Sequence, residues 1–400
     1  MTFSEKLRAL MTERGIGVRE LARMLPYDKG NLSRVVNGRK PPSENLATLL
    51  DEVLGANGEL VALRSSSRAR QAPSAHRTTT STAAPSGGAA DALFRRIERM
   101  SPGEIEELLH HLADYWHVLV KADNLLGPQH ALDGVLAQLD ILRALRTHAR
   151  PPLRDLALHL AAQYAESAAW LYEDARDLEI SRLWTGRAME WALEVGDQQM
   201  VAWTLFRRSQ QAQADGNGME VIGLAEAARR QQGDVPGPML AAILQQLAHG
   251  HALDGSETTC HSILDEALGH AASTDNGDAR SGHGAFCTPA YLEMQRGRCW
   301  LILGHPARAA SSFQVSVQEL PLAYQRDKAV AYAGLAAALA AQEQPERAAQ
   351  RAIQALTVAR SSGSRRILAM LTPVATSLAP HEHLDSVAEF LTGLADTQAA

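Results

Sequence analysis

Residues 21 to 43 read LARMLPYDKGNLSRVVNGRKPPS, and this stretch sets Arg23, Lys29, Arg34, Arg39 and Lys40 among Asn31, Ser33 and Asn37. Guanidinium, ammonium, amide and hydroxyl groups donate hydrogen bonds to phosphates and to base edges, so the chemistry they offer is recognition of a polyanion. The surrounding charge agrees. Residues 1 to 77 hold 13 Lys or Arg against eight Asp or Glu, which is +5, and because the whole chain is −6 the remainder carries −11. A basic head precedes an acidic body.

Residues that could support other chemistry are scattered. Cys260 stands beside His261, His249 near His251 and His381 near His383, yet no Cys-x-x-Cys or His-Glu-x-x-His spacing occurs, so no metal or other cofactor is expected. There is no phosphate loop, nucleophile elbow or paired carboxylates, and an enzyme is not expected. Three cysteines, Cys260, Cys287 and Cys299, do not make a disulfide framework, and the N-terminus lacks a basic and then apolar leader. A reduced, cytoplasmic setting is expected. The longest near-apolar run, Ala329 to Ala341, falls about a third short of the ~20 residues that span a bilayer, so no membrane segment is expected.

The elements that must position these groups are helices. Only 5% of residues are aromatic, Ala, Leu, Arg and Gln abound, and strands favour the β-branched and aromatic types that are scarce here, so the fold class is all-α. In the head, SEKLRALMTERG places Leu7, Leu10 and Met11 on one face, and VRELARML does the same with Val18, Leu21, Ala22 and Leu25. NLSRVV follows, then SENLATLLDEVLG with Ser43 as N-cap, then NGELVAL capped at Asn57. These are five short helices.

GVRELARML, NLSRVVNGRKPPS and LATLLDEVLG together resemble the XRE family of transcriptional regulators across residues 1 to 64. The resemblance implies a phage-repressor-like helix-turn-helix whose third helix enters the major groove of double-stranded DNA, with dimers spanning a palindromic operator. It makes Lys29, Asn31, Ser33 and Arg34 the base-facing candidates and puts Arg19, Asn37, Arg39 and Lys40 on the phosphate backbone. Two residues depart from the family pattern. Pro26 stands where the turn usually has Gly, and Gly30 contributes no side chain to the reading turn.

Residues 65 to 91 are small, polar, Pro- and Gly-containing and lack large hydrophobes, which reads as a disordered linker. Beyond it, residues 92 to 396 repeat. Helix-to-helix turns at Arg176, Gly216, Gly255, Gly304, Glu343 and Glu382 are spaced 40, 39, 49, 39 and 39 residues apart, the long interval holding the insertion Ser273 to Phe286. Seven residues before each turn stand Ala169, Ser209, Ala248, Gly297, Ala336 and Ala375, and twelve after it Ala188, Ala228, Ala267, Ser316, Ala355 and Leu394. All but Leu394 are small, and small side chains at fixed register mark where paired helices cross.

RGRCWLILGHPARAASSFQVSVQELP, with Gly297, Trp300, Gly304, Ala309, Phe313 and Pro321, resembles a tetratricopeptide repeat, although the period exceeds that family's 34 residues. The resemblance implies an α-solenoid whose inner face is built from the first helix of each pair. Carried onto this register, the inner-face columns are Gln163, Glu166, Trp170, Glu173, Trp203, Phe206, Gln210, Gln213, Gln245, His249, Tyr291, Met294 and Arg298, and all of these except Glu173, Gln213 and Met294 are the effector-binding candidates. The fifth repeat offers only Val330, Ala333, Ala337 and Ala340 there, so its face needs cover from the last repeat or a second subunit.

An XRE head on a tetratricopeptide body is similar in layout to the peptide-sensing regulators of Gram-positive bacteria, and the Ala, Arg and Leu bias looks like actinobacterial members of this architecture. The layout implies a homodimer that binds an operator and senses a peptide or small-molecule effector. Those regulators often clamp peptide with Asn; this body has Asn124, Asn217 and Asn276, none on the inner columns. The competing expectation is a scaffold, in which the solenoid recruits a partner protein and the head tethers it to DNA.

Overall fold

The first helix starts where the chain can cap it. In a computed structural model of the protein, the Glu5 amide donates to Thr2 Oγ1 at 3.3 Å and the Thr2 amide donates to Glu5 Oε2 at 2.7 Å, a reciprocal capping box that opens α1 (Phe3–Glu13). The structure describes all residues except 1, 19, 22–24, 26–28, 39–41, 43, 55, 57, 61–62, 65–92, 232–234, 273–282, 322–323 and 400, and among those described every regular element is a helix. The chain divides into two compact units, Met1–Ala84 and Pro85–Ala400.

In the first unit, α1 is followed by helical residues at Val18, Glu20 and Leu21, by α2 (Lys29–Val36), by α3 (Glu44–Val53) and by helical residues at Glu59, Leu60, Leu63 and Arg64. Leu7, Leu21, Leu32, Leu46, Leu50, Leu54 and Leu60, one or more from each segment, are buried together with Phe3, Val35 and Val36. This one core holds five short helices that would be marginal alone. The expected caps Ser43 and Asn57 lie outside the described residues. Asp51 supplies the cap instead, since its buried carboxylate accepts from the amides of Gly58 at 2.6 Å and Leu60 at 2.8 Å.

The second unit opens with α4 (Pro102–Leu126), started by Ser101 and Glu104 in a second capping box, and α5 (Leu132–His148). Helix pairs then succeed one another: α6 (Leu153–Asp174) with α7 (Leu178–Val195), α8 (Gln198–Ala214) with α9 (Gly218–Arg229), and α10 (Gly237–Leu253) with α11 (Glu257–His270). They continue as α12 (Pro289–Ile302) with α13 (Pro306–Glu319), α14 (Gln325–Ala340) with α15 (Pro345–Ser362), and α16 (Arg365–Leu378) with α17 (Asp385–Ala399). The arrangement is solenoid-like, each helix packing on its predecessor.

The backbone follows the repeat register. Arg176, Gly216, Gly255, Gly304 and Glu343 close their helix pairs in the left-handed region, at φ of 65°, 74°, 79°, 80° and 57°. The sixth turn differs. Glu382 has φ −58° and the chain turns through a short 3₁₀ segment, Ala379–His381, where Pro380 fixes the backbone. The small residues lie in the crossings, as Gly297 shows: a Cβ there would stand 3.0 Å from the Phe313 ring.

The end of the solenoid returns to its start. α16 packs against α14 and reaches α6, while α15 reaches α4. The apolar face of α14 is thereby covered from within the chain, with Val330 and Ala333 buried.

Candidate functional site

In the first unit α2 presents its apolar side inward through Leu32, Val35 and Val36, which leaves Ser33 half-buried and Arg34 exposed. Asn37 is exposed just past the helix and donates to the Ser33 carbonyl at 2.8 Å, so part of its amide already closes the C-terminal turn. Lys29 and Asn31 are in the first turn of α2, but their side chains lie outside the described residues, as do Arg19, Arg39 and Lys40 and the departing Pro26.

The second unit holds a partly open cavity of about 500 Å³. Its walls come chiefly from α4, α6, α8, α12, α14 and α16 and from the end of the insertion, with Val135 of α5 and Leu178 and Arg182 of α7, and its volume is within the range typical of small-molecule pockets. Of the residues the repeat register nominated, Glu166, Trp170, Glu173, Trp203, Gln210, Gln213, Tyr291, Met294 and Arg298 line it.

Four do not. Gln163 stands one turn before the stretch of α6 that faces the cavity, and Phe206 is wholly buried beneath Trp203, ring centroids 4.5 Å apart. Gln245 and His249 belong to α10, which contributes no wall. The insertion's last residues, His283 to Phe286, line the cavity. Gly284 lets them approach α10, for a Cβ there would stand 2.5 Å from the Met239 nitrogen.

Around Trp203 the charges are arranged in pairs. Glu166 Oε1 accepts from Trp203 Nε1 at 2.9 Å and from Arg207 Nε at 2.5 Å, and Arg207 also donates to Gln210. Burial alone would raise the Glu166 carboxyl, but Arg207 and His283 outweigh it and hold the group below its usual range. His283 stacks on Trp203 at 4.9 Å, and burial keeps its imidazole below its ordinary value. The guanidinium carbons of Arg207 and Arg366 each stand 4.9 Å from the Trp170 ring centroid.

His249 serves the site indirectly. Its Nδ1 accepts from Gln213 Nε2 at 2.5 Å and its Nε2 donates to Gln295 Oε1 at 3.1 Å, an oxygen that also accepts from Arg298 Nη1 at 3.2 Å. Burial, and then the charge of Arg298, hold His249 well below its usual value, so this neutral ring links α8, α10 and α12.

The repeat columns alone would not have supplied the residues that close the cavity. Arg326, in the first turn of α14, donates to Asp123 at 2.5 Å and to Asp174 at 3.0 Å, and Arg366, in the first turn of α16, donates to Asp174 at 2.9 Å. Burial pushes the Asp174 carboxyl up, and Arg366 with Arg326 pull it net downward. Arg326 and Arg366 stand 17 and 16 residues before their repeats' turns, nearly the same register position, and that recurrence was the available signal. Asn124, away from the inner columns, also reaches the cavity, from α4.

Residues 2–63 match the family described as a helix-turn-helix domain. The N-terminal unit is a helix-turn-helix domain. No curated protein matches the chain. In the helix-turn-helix domain α2 is the third helical segment among the described residues, and Ser33 and Arg34 stand on it. Among the described residues no helix is long and apolar enough to cross a membrane.

Proposed function

We propose that this protein is a sequence-specific, cytoplasmic transcriptional regulator of the XRE type, binding a palindromic operator as a homodimer. Its tetratricopeptide-like body binds an effector that modulates DNA affinity. The observation that carries the first half is the helix-turn-helix match over residues 2–63, in a basic segment of an otherwise acidic chain. The cavity supports the second half. Because α16 returns to α6, the inner face is a chamber of about 500 Å³, a shape that favours a small effector over a recruited protein. Effector and operator then each change the affinity of the other by one shared factor.

The test is a genome-wide selection of DNA fragments by the purified full-length protein at physiological salt, repeated with residues 1 to 64 deleted. A two-fold symmetric motif that vanishes on deletion is the expected result. Fragments recovered equally by both proteins, or no motif with either, would remove the regulator reading and favour a scaffold that holds a partner protein.

A further inference from the structure

The cavity is unevenly satisfied. Beside α8 its charges are spent, Glu166 on Arg207 and Trp203, and Arg182 on Asp215 at 2.6 Å. Where the last turn of α6 faces α12, α14 and α16, they are not. Arg298 donates to Gln295 Oε1 and has no carboxylate within ion-pair distance among the described residues. Arg366 gives its Nε to Asp174 and leaves Nη2 buried without an acceptor. Glu173 and Asp327 line the same space, and neither carboxylate accepts a hydrogen bond nor pairs with a cation at ion-pair distance among the described residues.

These groups are neighbours. The charge of Arg366 acts on both Glu173 and Asp327, and Arg298 in turn feels the charges of Arg366 and Glu173. Burial holds the Glu173 and Asp327 carboxyls above their usual range and draws Arg298 below its own, as expected of charges that lack partners. One helical turn from Arg298, Asp327 and Arg366 stand Met294, Val330 and Met370, all three on the cavity wall. Unspent donors and unspent carboxylates therefore adjoin an apolar surface.

We infer that the effector is a small zwitterion of the amino-acid or dipeptide type. Its carboxylate is held by Arg298 and Arg366, its ammonium by Glu173 and Asp327, and its apolar side chain lies against Met294, Val330 and Met370. A ligand with only an anionic group would bring negative charge beside Glu173 and Asp327 and leave both without donors. A ligand with only a cationic group would meet Arg298 and the free edge of Arg366. A zwitterion satisfies both sets at once, and buried polar groups are costly unless paired. The inference rests on the effector reading of the body.

The test uses the full-length protein in isothermal titration calorimetry against leucine, phenylalanine, Leu-Leu and Leu-Phe, each also as its N-acetyl and its C-terminal amide form. The expected result is binding of at least one free zwitterion, with each cap weakening it tenfold or more. Arg298→Gln should weaken the free zwitterion similarly and remove most of the further loss caused by the amide. Glu173→Gln should do the same for the acetyl group, and Arg298→Lys should retain part of the affinity. Because the two variants are read against opposite caps, a general folding defect cannot imitate the pattern. Absence of binding across the panel, or equal binding of capped and free forms, overturns the ligand class whatever the deletion of residues 1 to 64 does to DNA selection. Zwitterion binding that leaves operator affinity unchanged supports the ligand class and overturns the effector role.

Discussion

Gly127 and Ser362 meet backbone to backbone, although 235 residues separate them: a Cβ on Gly127 would stand 1.8 Å from the Ser362 carbonyl oxygen. Gly127 ends α4 at φ 95° and ψ 169°, a region open essentially to glycine, and Ser362 ends α15. This is where the last part of the solenoid touches the first. Gly127→Ala should therefore cost ~1–3 kcal/mol for the backbone alone, and more for the contact it forces apart. Gly304→Ala is the matched control, since Gly304 has φ 80° and nothing within 4 Å of its would-be Cβ. Urea denaturation should show the larger loss for Gly127→Ala, together with weaker ligand binding; equal losses would mean that the ends are not held together there.

Asp174 is the charge on which that closure turns. One oxygen takes Arg326 at 3.0 Å, and the other takes Arg366 at 2.9 Å and Ser364 Oγ at 2.8 Å. Asp174→Asn leaves Arg366 without its carboxylate and Arg326 with Asp123 alone in a largely buried site, and breaking such a pair costs ~3–5 kcal/mol. The sign with pH follows from the lowered carboxyl. Asp174 binds its proton less readily folded than unfolded, so its contribution is present above the ordinary carboxylate range and is lost as pH falls through the folded value. Denaturation at a series of acidic pH values should find the wild type converging on Asp174→Asn; parallel curves would refute this.

Glu173 and Asp327 should behave in the opposite way. Their carboxyls are raised, by burial first, so in the folded protein without ligand the ionised forms are penalised. That penalty is present above the raised value and disappears as pH falls through it. Glu173→Gln and Asp327→Asn should each stabilise the unliganded protein at neutral pH by ~0.5–2 kcal/mol, as removal of a functional charge often does, while weakening ligand binding. Loss of stability in both variants would place the two carboxylates among structural ion pairs.

The parts of this architecture that were legible in the sequence are those fixed by local chemistry. A left-handed turn calls for Gly or a tolerant residue, a close helix crossing calls for a small one, and both recur at one register, so Arg176 through Glu343 could be placed without a structure. The wall formed by Glu166, Trp170 and Trp203 followed from the same periodicity. Contacts that cross the solenoid have no such period. Arg326 and Asp123 are 203 residues apart, and neither side chain signals the other. Asn124 escaped for a related reason, since α4 precedes the repeats and obeys no register. The insertion did interrupt the spacing visibly, but spacing alone did not reveal that His283 would stack on Trp203.

For the helix-turn-helix domain, side chains on and beside one helix should separate by role. Arg34 is exposed in the last turn of α2, whose buried face is held by Leu32, Val35 and Val36, so removing its guanidinium should leave the fold intact. If it reads a base edge, Arg34→Ala should cost ~1–3 kcal/mol at one operator position and relax preference there, with little change on mismatched DNA. If Lys40 contacts a phosphate, Lys40→Ala should weaken all sequences about equally and reduce the salt dependence by about one counterion. Fluorescence anisotropy on the selected operator and a scrambled duplex, across a salt series, distinguishes the two. Uniform weakening by Arg34→Ala would move that residue to the backbone, and unchanged binding in both variants would mean that α2 does not dock as proposed.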